Sequence, residues 1–138
     1  MSSERKIKVL IADDEKHIRL LIRKVVSGLN LELAGEAENG KEVVQLFRKE
    51  KPDLLLLDIY MPYMDGIEAL KEIRGEFPNA TVLMLTSAAD MESVQKCIDL
   101  GAVNYILKSN PIAEIRQIIE ETAKALKAQT EAPDAGED

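Results

Sequence analysis

The sequence predicts an α/β fold, a parallel sheet wound on both sides by helices, and three observations predict it. Short, almost wholly apolar segments recur along the chain. Amphipathic stretches of roughly ten to fifteen residues alternate with them, their apolar positions at helical spacing. Turn-forming residues bound each segment. Strands that are apolar throughout belong in a sheet buried on both faces, and right-handed crossovers place the connecting helices over those faces.

The first strand spans residues 6–12, Lys-Ile-Lys-Val-Leu-Ile-Ala, β-rich and then continuously apolar until Asp13 ends it. Residues 14–28 follow as helix, since Ile18, Leu21, Ile22 and Val25 share one face and Gly28 offers a C-terminal stop. The alternation continues with strand at 31–37, helix at 40–49, strand at 53–58 and helix at 67–77. Residues 80–86 make the fourth strand, 91–100 the fourth helix, 103–107 the fifth strand and 111–126 the last helix, which Pro111 begins. Cys97 lies in an apolar-periodic segment, which marks it as a small core residue rather than a reactive thiol.

At 138 residues the chain is sized for one domain and buries enough surface to fold without disulfides or structural metal. Residues 1–127 are assigned to that domain. The stretch 128–138 contains Pro133, Gly136, four acids and no large apolar residue, so it is expected to be a flexible acidic tail or linker stub. The tail carries four of the seven net negative charges, and the remaining 18 basic and 21 acidic residues leave the domain mildly acidic. With no dense basic stretch, direct nucleic-acid binding is not expected. A single cysteine, no apolar run long enough to span a membrane and no secretory signal point to the cytoplasm.

In an open parallel sheet the functional crevice lies beyond the carboxyl ends of the strands. There the sequence places Asp13 and Asp14 after the first strand, Asp58 at the third, Thr86 and Ser87 at the fourth and Lys108 at the fifth. Each has an ordinary explanation when taken singly. Asp13, Asp14 and Glu15 suit the start of a helix, Asp58 a turn, Thr86 a strand, and Lys108 a solvated surface. Together they are harder to dismiss, because three converging carboxylates repel one another and raise each other's pKa unless a cation compensates. An oxygen-only set points to a hard divalent cation, Mg²⁺ before others, and no Cys or His cluster supports zinc. His17 stands alone and is set aside.

This set resembles the receiver domain of two-component response regulators, over about residues 6–127. The resemblance is carried by Asp13-Asp14, the Asp-x-x-Met-Pro-x-x-Asp-Gly pattern from Asp58 to Gly66, Thr86-Ser87-Ala88 and Lys108. It implies a flavodoxin-like fold of five βα units with strand order 2-1-3-4-5, as in flavodoxin and chemotaxis receivers. Asp58 is then the acceptor of a phosphoryl group from a sensor histidine kinase or phosphotransfer protein. Asp14, Asp58 and the backbone carbonyl of Tyr60 are implied to ligate Mg²⁺ directly, with Asp13 acting through water. Lys108 would contact the phosphoryl oxygens, Thr86 would donate to them, and Tyr105 would reorient as the switch. The chemistry implied is limited to Mg²⁺-dependent self-phosphorylation and autodephosphorylation, so the protein is read as a switch and not an enzyme.

The middle motif also makes local sense. Pro62 cannot extend the strand, Asp65 can cap the next helix, and Gly66 permits a tight backbone path. Two features depart from the usual receiver pattern. Lys108 is followed by Ser109-Asn110-Pro111 rather than directly by proline, and Tyr60 is bulkier than many residues found there, which implies slower loss of phosphate.

The partners expected are the phosphodonor and either a downstream effector protein or an output domain elsewhere in a longer regulator, through a face made of the fourth helix, fifth strand and fifth helix. A homodimer is compatible with the same reading. The main alternative is a receiver-fold interaction module that is never phosphorylated, but the complete acidic pocket argues against it. A flavodoxin-like cofactor carrier would need a hydroxyl-rich or glycine-rich phosphate loop where Asp13-Asp14-Glu15 stands. A phosphatase of the haloacid dehalogenase type would need an Asp-x-Asp motif there.

Overall fold

The computed structural model describes residues 5–131. The chain alternates β1 (Lys8–Ala12), α1 (Lys16–Gly28), β2 (Glu32–Ala37), α2 (Gly40–Glu50), β3 (Leu54–Asp58), α3 (Gly66–Glu76), β4 (Val82–Thr86), α4 (Met91–Asp99), β5 (Asn104–Leu107) and α5 (Ile112–Glu131). The five strands form one parallel sheet in the order β2-β1-β3-β4-β5, as the resemblance implies.

Alternate residues of each strand point to opposite faces and so build two cores. Leu10, Leu55, Leu57, Val82 and Met84 meet α2, α3 and α4 through Val44, Phe47, Leu70, Ile73, Val94 and Cys97. Val9, Ile11, Leu54, Leu56, Leu83 and Leu85 meet α1 and α5 through Ile18, Ile22, Val26, Ile115 and Ile119. Cys97 is fully buried, as its periodic position predicts. β3 and β4 are buried along their whole length, whereas the edge strand β2 is only partly covered. The central strand ends therefore sit at the bottom of a crevice and the edge strands at its sides.

Element ends fall within two residues of the sequence expectation except at the end of α5, and three of the differences have a local cause. Gly28 is the last helical residue of α1 rather than the stop. The chain reverses at Asn30, with φ 61, where Leu31 N–H donates to Val26 and Asn30 N–H to Ser27 in a Schellman motif. Asparagine tolerates the left-handed conformation, so the stop needs no glycine. Pro111 precedes α5, and its carbonyl accepts from Glu114 N–H at 2.9 Å, as a capping residue does. α5 itself runs to Glu131 because Ala125, Lys127, Ala128 and Gln129 are good helix formers with no breaker before Pro133. The first residues assigned to the tail are thus helical, and 132–138 lie outside the described residues. A short 3₁₀ helix, Ala88–Asp90, fills the β4–α4 connection. Among the described residues no helix is long and apolar enough to cross a membrane.

The β3–α3 loop contains a bulky residue in a left-handed conformation. Tyr63 has φ 68, and Met64 N–H donates to the Pro62 carbonyl at 2.8 Å across it, closing a γ-turn. Its ring is 87% exposed and packs no core. Tyr63→Gly is therefore expected to stabilise the fold by about 0.5–1 kcal/mol, because relief of the turn outweighs the extra chain entropy of glycine. Urea unfolding measures this, and a lower midpoint for the variant would count against it.

Candidate phosphoacceptor site

The sheet ladder continues past the strand ends and fixes the rim. Asp13 N–H donates to the Ala37 carbonyl at 3.0 Å, Ile59 N–H to Leu85 at 3.3 Å and Lys108 N–H to Thr86 at 2.8 Å. Backbone at each of these positions is thus held by its neighbouring strand. Side chains at and just beyond the ends of β1, β3 and β5 consequently converge.

At the centre is the Lys108 ammonium. It lies 2.9 Å from Asp13 Oδ2, 3.2 Å from Asp58 Oδ2 and 2.9 Å from Glu15 Oε1. Asp13 is fully buried and Asp58 is 4% exposed. One oxygen from each of Asp13, Asp14 and Asp58 falls within 4.8 Å of the others. The residues predicted from scattered strand ends are thereby brought to one place, with Asp14 at the exposed side.

Burial sets the electrostatics first. It pushes the Asp58 carboxyl up to about 7, with help from the Asp13 charge and against the opposing pull of Lys108. Burial raises Asp13 as well, while Lys108 and the Glu15 backbone N–H, 2.8 Å from Asp13 Oδ1, pull it back. For Lys108, burial alone would lower the pKa, but Asp13 and Glu15 outweigh it and hold the ammonium above the ordinary lysine range. The hydrogen bond from Lys108 lowers Glu15. The repulsion among carboxylates expected from the sequence is present, but desolvation exceeds it.

These residues fit Mg²⁺. Asp13 Oδ2 is buried and, although it touches the ammonium, receives no well-directed hydrogen bond among the described residues. A buried carboxylate oxygen in that state lacks part of its compensation. A hard divalent cation beside an all-oxygen set supplies it.

The remaining predicted residues are placed as follows. Thr86 is fully buried and its hydroxyl donates to the Ser87 carbonyl at 3.1 Å, while Ser87 Oγ donates to Asp90. Tyr105 on β5 is half-buried against the core beneath α2, α3 and α4 and pairs in register with Met84. Tyr60 follows β3 by two residues, and its ring is half exposed. Asp65 caps α3 by accepting Glu68 N–H at 2.9 Å, as expected. Gly66 leaves no space for a side chain, because its backbone runs against the Asp58 carbonyl and Ile59. Gly40 makes a similar close approach to Met64, which tucks the β3–α3 loop under α2. His17 is exposed at the start of α1, outside the Lys108 cluster.

Three participants were not identified from the sequence. Glu15 completes the Lys108 cluster from 93 residues away, and its only signal was adjacency to the acidic pair. Arg19 donates to the Asp13 carbonyl at 2.8 Å and pairs with Glu36, bracing the rim from α1. Ser93 on α4 hydrogen-bonds the Tyr60 hydroxyl at 2.8 Å. Neither of the last two carries a local sequence signal.

Comparison with known proteins settles the family. Residues 9–120 match the model of the response regulator receiver domain. The chain belongs to this family. It is 37% identical over 118 residues to the chemotaxis protein CheY of Listeria monocytogenes, covering 86% of this chain and 99% of that protein. It is also 37% identical over 119 residues to the response regulator protein VraR of Staphylococcus aureus, of which it spans 57%. Among solved structures, the REC domain of AraT from Geobacillus stearothermophilus superposes with a TM-score of 0.85 at 32% identity, covering 92% of this chain and all of that one. A chain of the CheX-CheY-BeF3-Mg complex of Borrelia burgdorferi gives 0.79 at 28% identity, with 84% and 88% of the two chains covered.

The receiver is therefore a phosphoacceptor switch of two-component signalling and not a classical enzyme. Receivers of this family work with histidine kinases and effectors and bind Mg²⁺ at an acidic cluster, for which Asp13, Asp14 and Asp58 form the candidate here.

Proposed function

We propose that this receiver accepts its phosphoryl group on Asp58. The observation that carries the assignment is the buried Lys108 ammonium shared between Asp58 and Asp13 at the carboxyl end of the sheet. Asp58 ends β3, the central strand, at the floor of the crevice, where an incoming group meets Lys108 on one side and Thr86 on the next strand.

Asp58, Asp14 and the Tyr60 carbonyl would hold Mg²⁺, with Asp13 acting through a water. The bound ion would neutralise charge on both the acceptor carboxylate and the phosphoryl oxygens. An Asp58 carboxylate oxygen attacks the phosphorus of a phosphohistidine, forming a P–O bond as the P–N bond breaks, and the released imidazole takes a proton. Lys108 contributes a point charge to the transferred oxygens, exchanging one of its carboxylate contacts for them. Thr86 turns its hydroxyl from the Ser87 carbonyl to the new acceptor, and the space it leaves on the core face is open to Tyr105. Such a change is driven only by the difference in contacts between the two arrangements.

The same reading assigns the donor to a sensor histidine kinase or phosphotransfer protein in the cytoplasm. It assigns the readout to an effector protein or a linked output domain reached through α4, β5 and α5, and residues 132–138 to an acidic connection. Water attacking the acyl phosphate would return the starting state. Incubation with acetyl phosphate and Mg²⁺, followed by intact mass and peptide mapping, should add one phosphoryl mass to the peptide containing Asp58. Asp58→Asn should add none, and modification mapped to any other residue would overturn the assignment.

A further inference from the structure

We infer that Ser93 is a positioning residue for the metal-binding loop and that it acts through the Tyr60 hydroxyl. Tyr60 is anchored on both sides by core residues, Ile59 fully buried and Met61 nearly so, while Tyr60 itself faces outward and belongs to neither core. Its backbone is thus pinned at each end, leaving the orientation about its own Cα as the remaining freedom. The hydroxyl removes part of that freedom by reaching Ser93 Oγ, 2.8 Å away and 33 residues on in the chain. Ser93 sits one position before Val94, whose buried side chain fixes the register of α4 on the sheet. The tie therefore runs from a packed helix to Tyr60, two residues beyond Asp58.

The inference rests on the reading that the Tyr60 carbonyl joins Asp14 and Asp58 around Mg²⁺. A carbonyl already aimed at the ion loses less orientational freedom on binding, so a tethered Tyr60 gives tighter binding than a free one. Because linkage is reciprocal, ion binding also favours the α4 position that makes the bond. Metal occupancy is in this way communicated to α4 before any phosphoryl group arrives. A neutral hydrogen bond of this kind corresponds to an effect of about two- to tenfold.

The test is Mg²⁺ titration by calorimetry and by amide NMR of the unphosphorylated chain. Ser93→Ala and Tyr60→Phe should each weaken binding about two- to tenfold, and the double variant should be no weaker than either single one. Ser93→Thr should retain the parent affinity, and Mg²⁺-induced shifts of the α4 amides should shrink in Tyr60→Phe. Parent-like affinity in Ser93→Ala, or additive losses in the double variant, would overturn the inference alone. Asp14→Asn serves as the control: failure of the parent to bind Mg²⁺, or binding that survives Asp14→Asn unchanged, would overturn the site reading and the inference with it.

Discussion

At pH 7 and without divalent cations, Asp58→Asn is expected to be more stable than the parent receiver by on the order of 3 kcal/mol, and the difference should close by about pH 4. Asp58 takes up its proton near pH 7 in the folded chain but near its ordinary value of 3.8 when unfolded. Between those values the folded state binds more protons, so the parent loses stability as pH rises. The causes are burial first and the Asp13 charge second, and Lys108 compensates them only in part. Asparagine fills the same space without the charge. Mg²⁺ should reduce or reverse the ranking, since it stabilises a parent carboxylate that the variant lacks. Urea unfolding of both chains from pH 4 to 8, with and without Mg²⁺, measures the effect. A parent as stable as the variant at pH 7 without metal would refute the account of a frustrated site.

Gly66→Ala is expected to destabilise the fold by about 3 kcal/mol or more, whereas Gly75→Ala in the same helix should stabilise it by about 0.5 kcal/mol. A methyl on Gly66 would overlap the Asp58 carbonyl oxygen, with the carbonyl carbon 2.9 Å away and Ile59 Cα 3.0 Å away. All of these are backbone atoms, so no flexible side chain can move aside. Gly66 N–H also donates to the Ile59 carbonyl at 2.7 Å, which ties the start of α3 to the chain just beyond the acceptor. Relief of the clash must shift either α3 or Asp58, so phosphorylation by acetyl phosphate should fall along with stability. Gly75 near the C-terminal end of α3 has nothing among the described residues within 4 Å of an added methyl, and there the substitution only improves helix propensity. Denaturation midpoints of the two variants should therefore move in opposite directions, and a shared direction would refute the contact argument.

The hydropathy pattern placed β1, β3 and β4 within one or two residues of their observed ends because a strand buried on both faces leaves an uninterrupted apolar run. It placed Asp13, Asp58 and Thr86 at the carboxyl rim for the same reason, since a polar residue ending such a run sits where the strand leaves the core. Asp65 as a cap and Gly66 as a close approach were legible because capping and turn chemistry act over a few residues. The reversal at Asn30 instead of Gly28 was not, because two residues both suited to a helix end lay within one turn of each other. The extension of α5 to Glu131 runs against the acidic composition of 128–138, because the helix propensity of Ala128 and Gln129 acts ahead of the first breaker at Pro133.

The sequence by itself determined the order of the elements, the faces they bury and the identity of the acids, the hydroxyl and the lysine at the strand ends. Tertiary structure alone decided that Lys108 is shared among Asp13, Glu15 and Asp58, that Arg19 braces Asp13 and that Tyr60 reaches Ser93. Periodicity and turn chemistry are local, so they report which side of an element faces the core. Which side chains then meet depends on how separate crossovers pack over one sheet. The depth at which that packing leaves Asp58 governs its charge more than the neighbouring acids do.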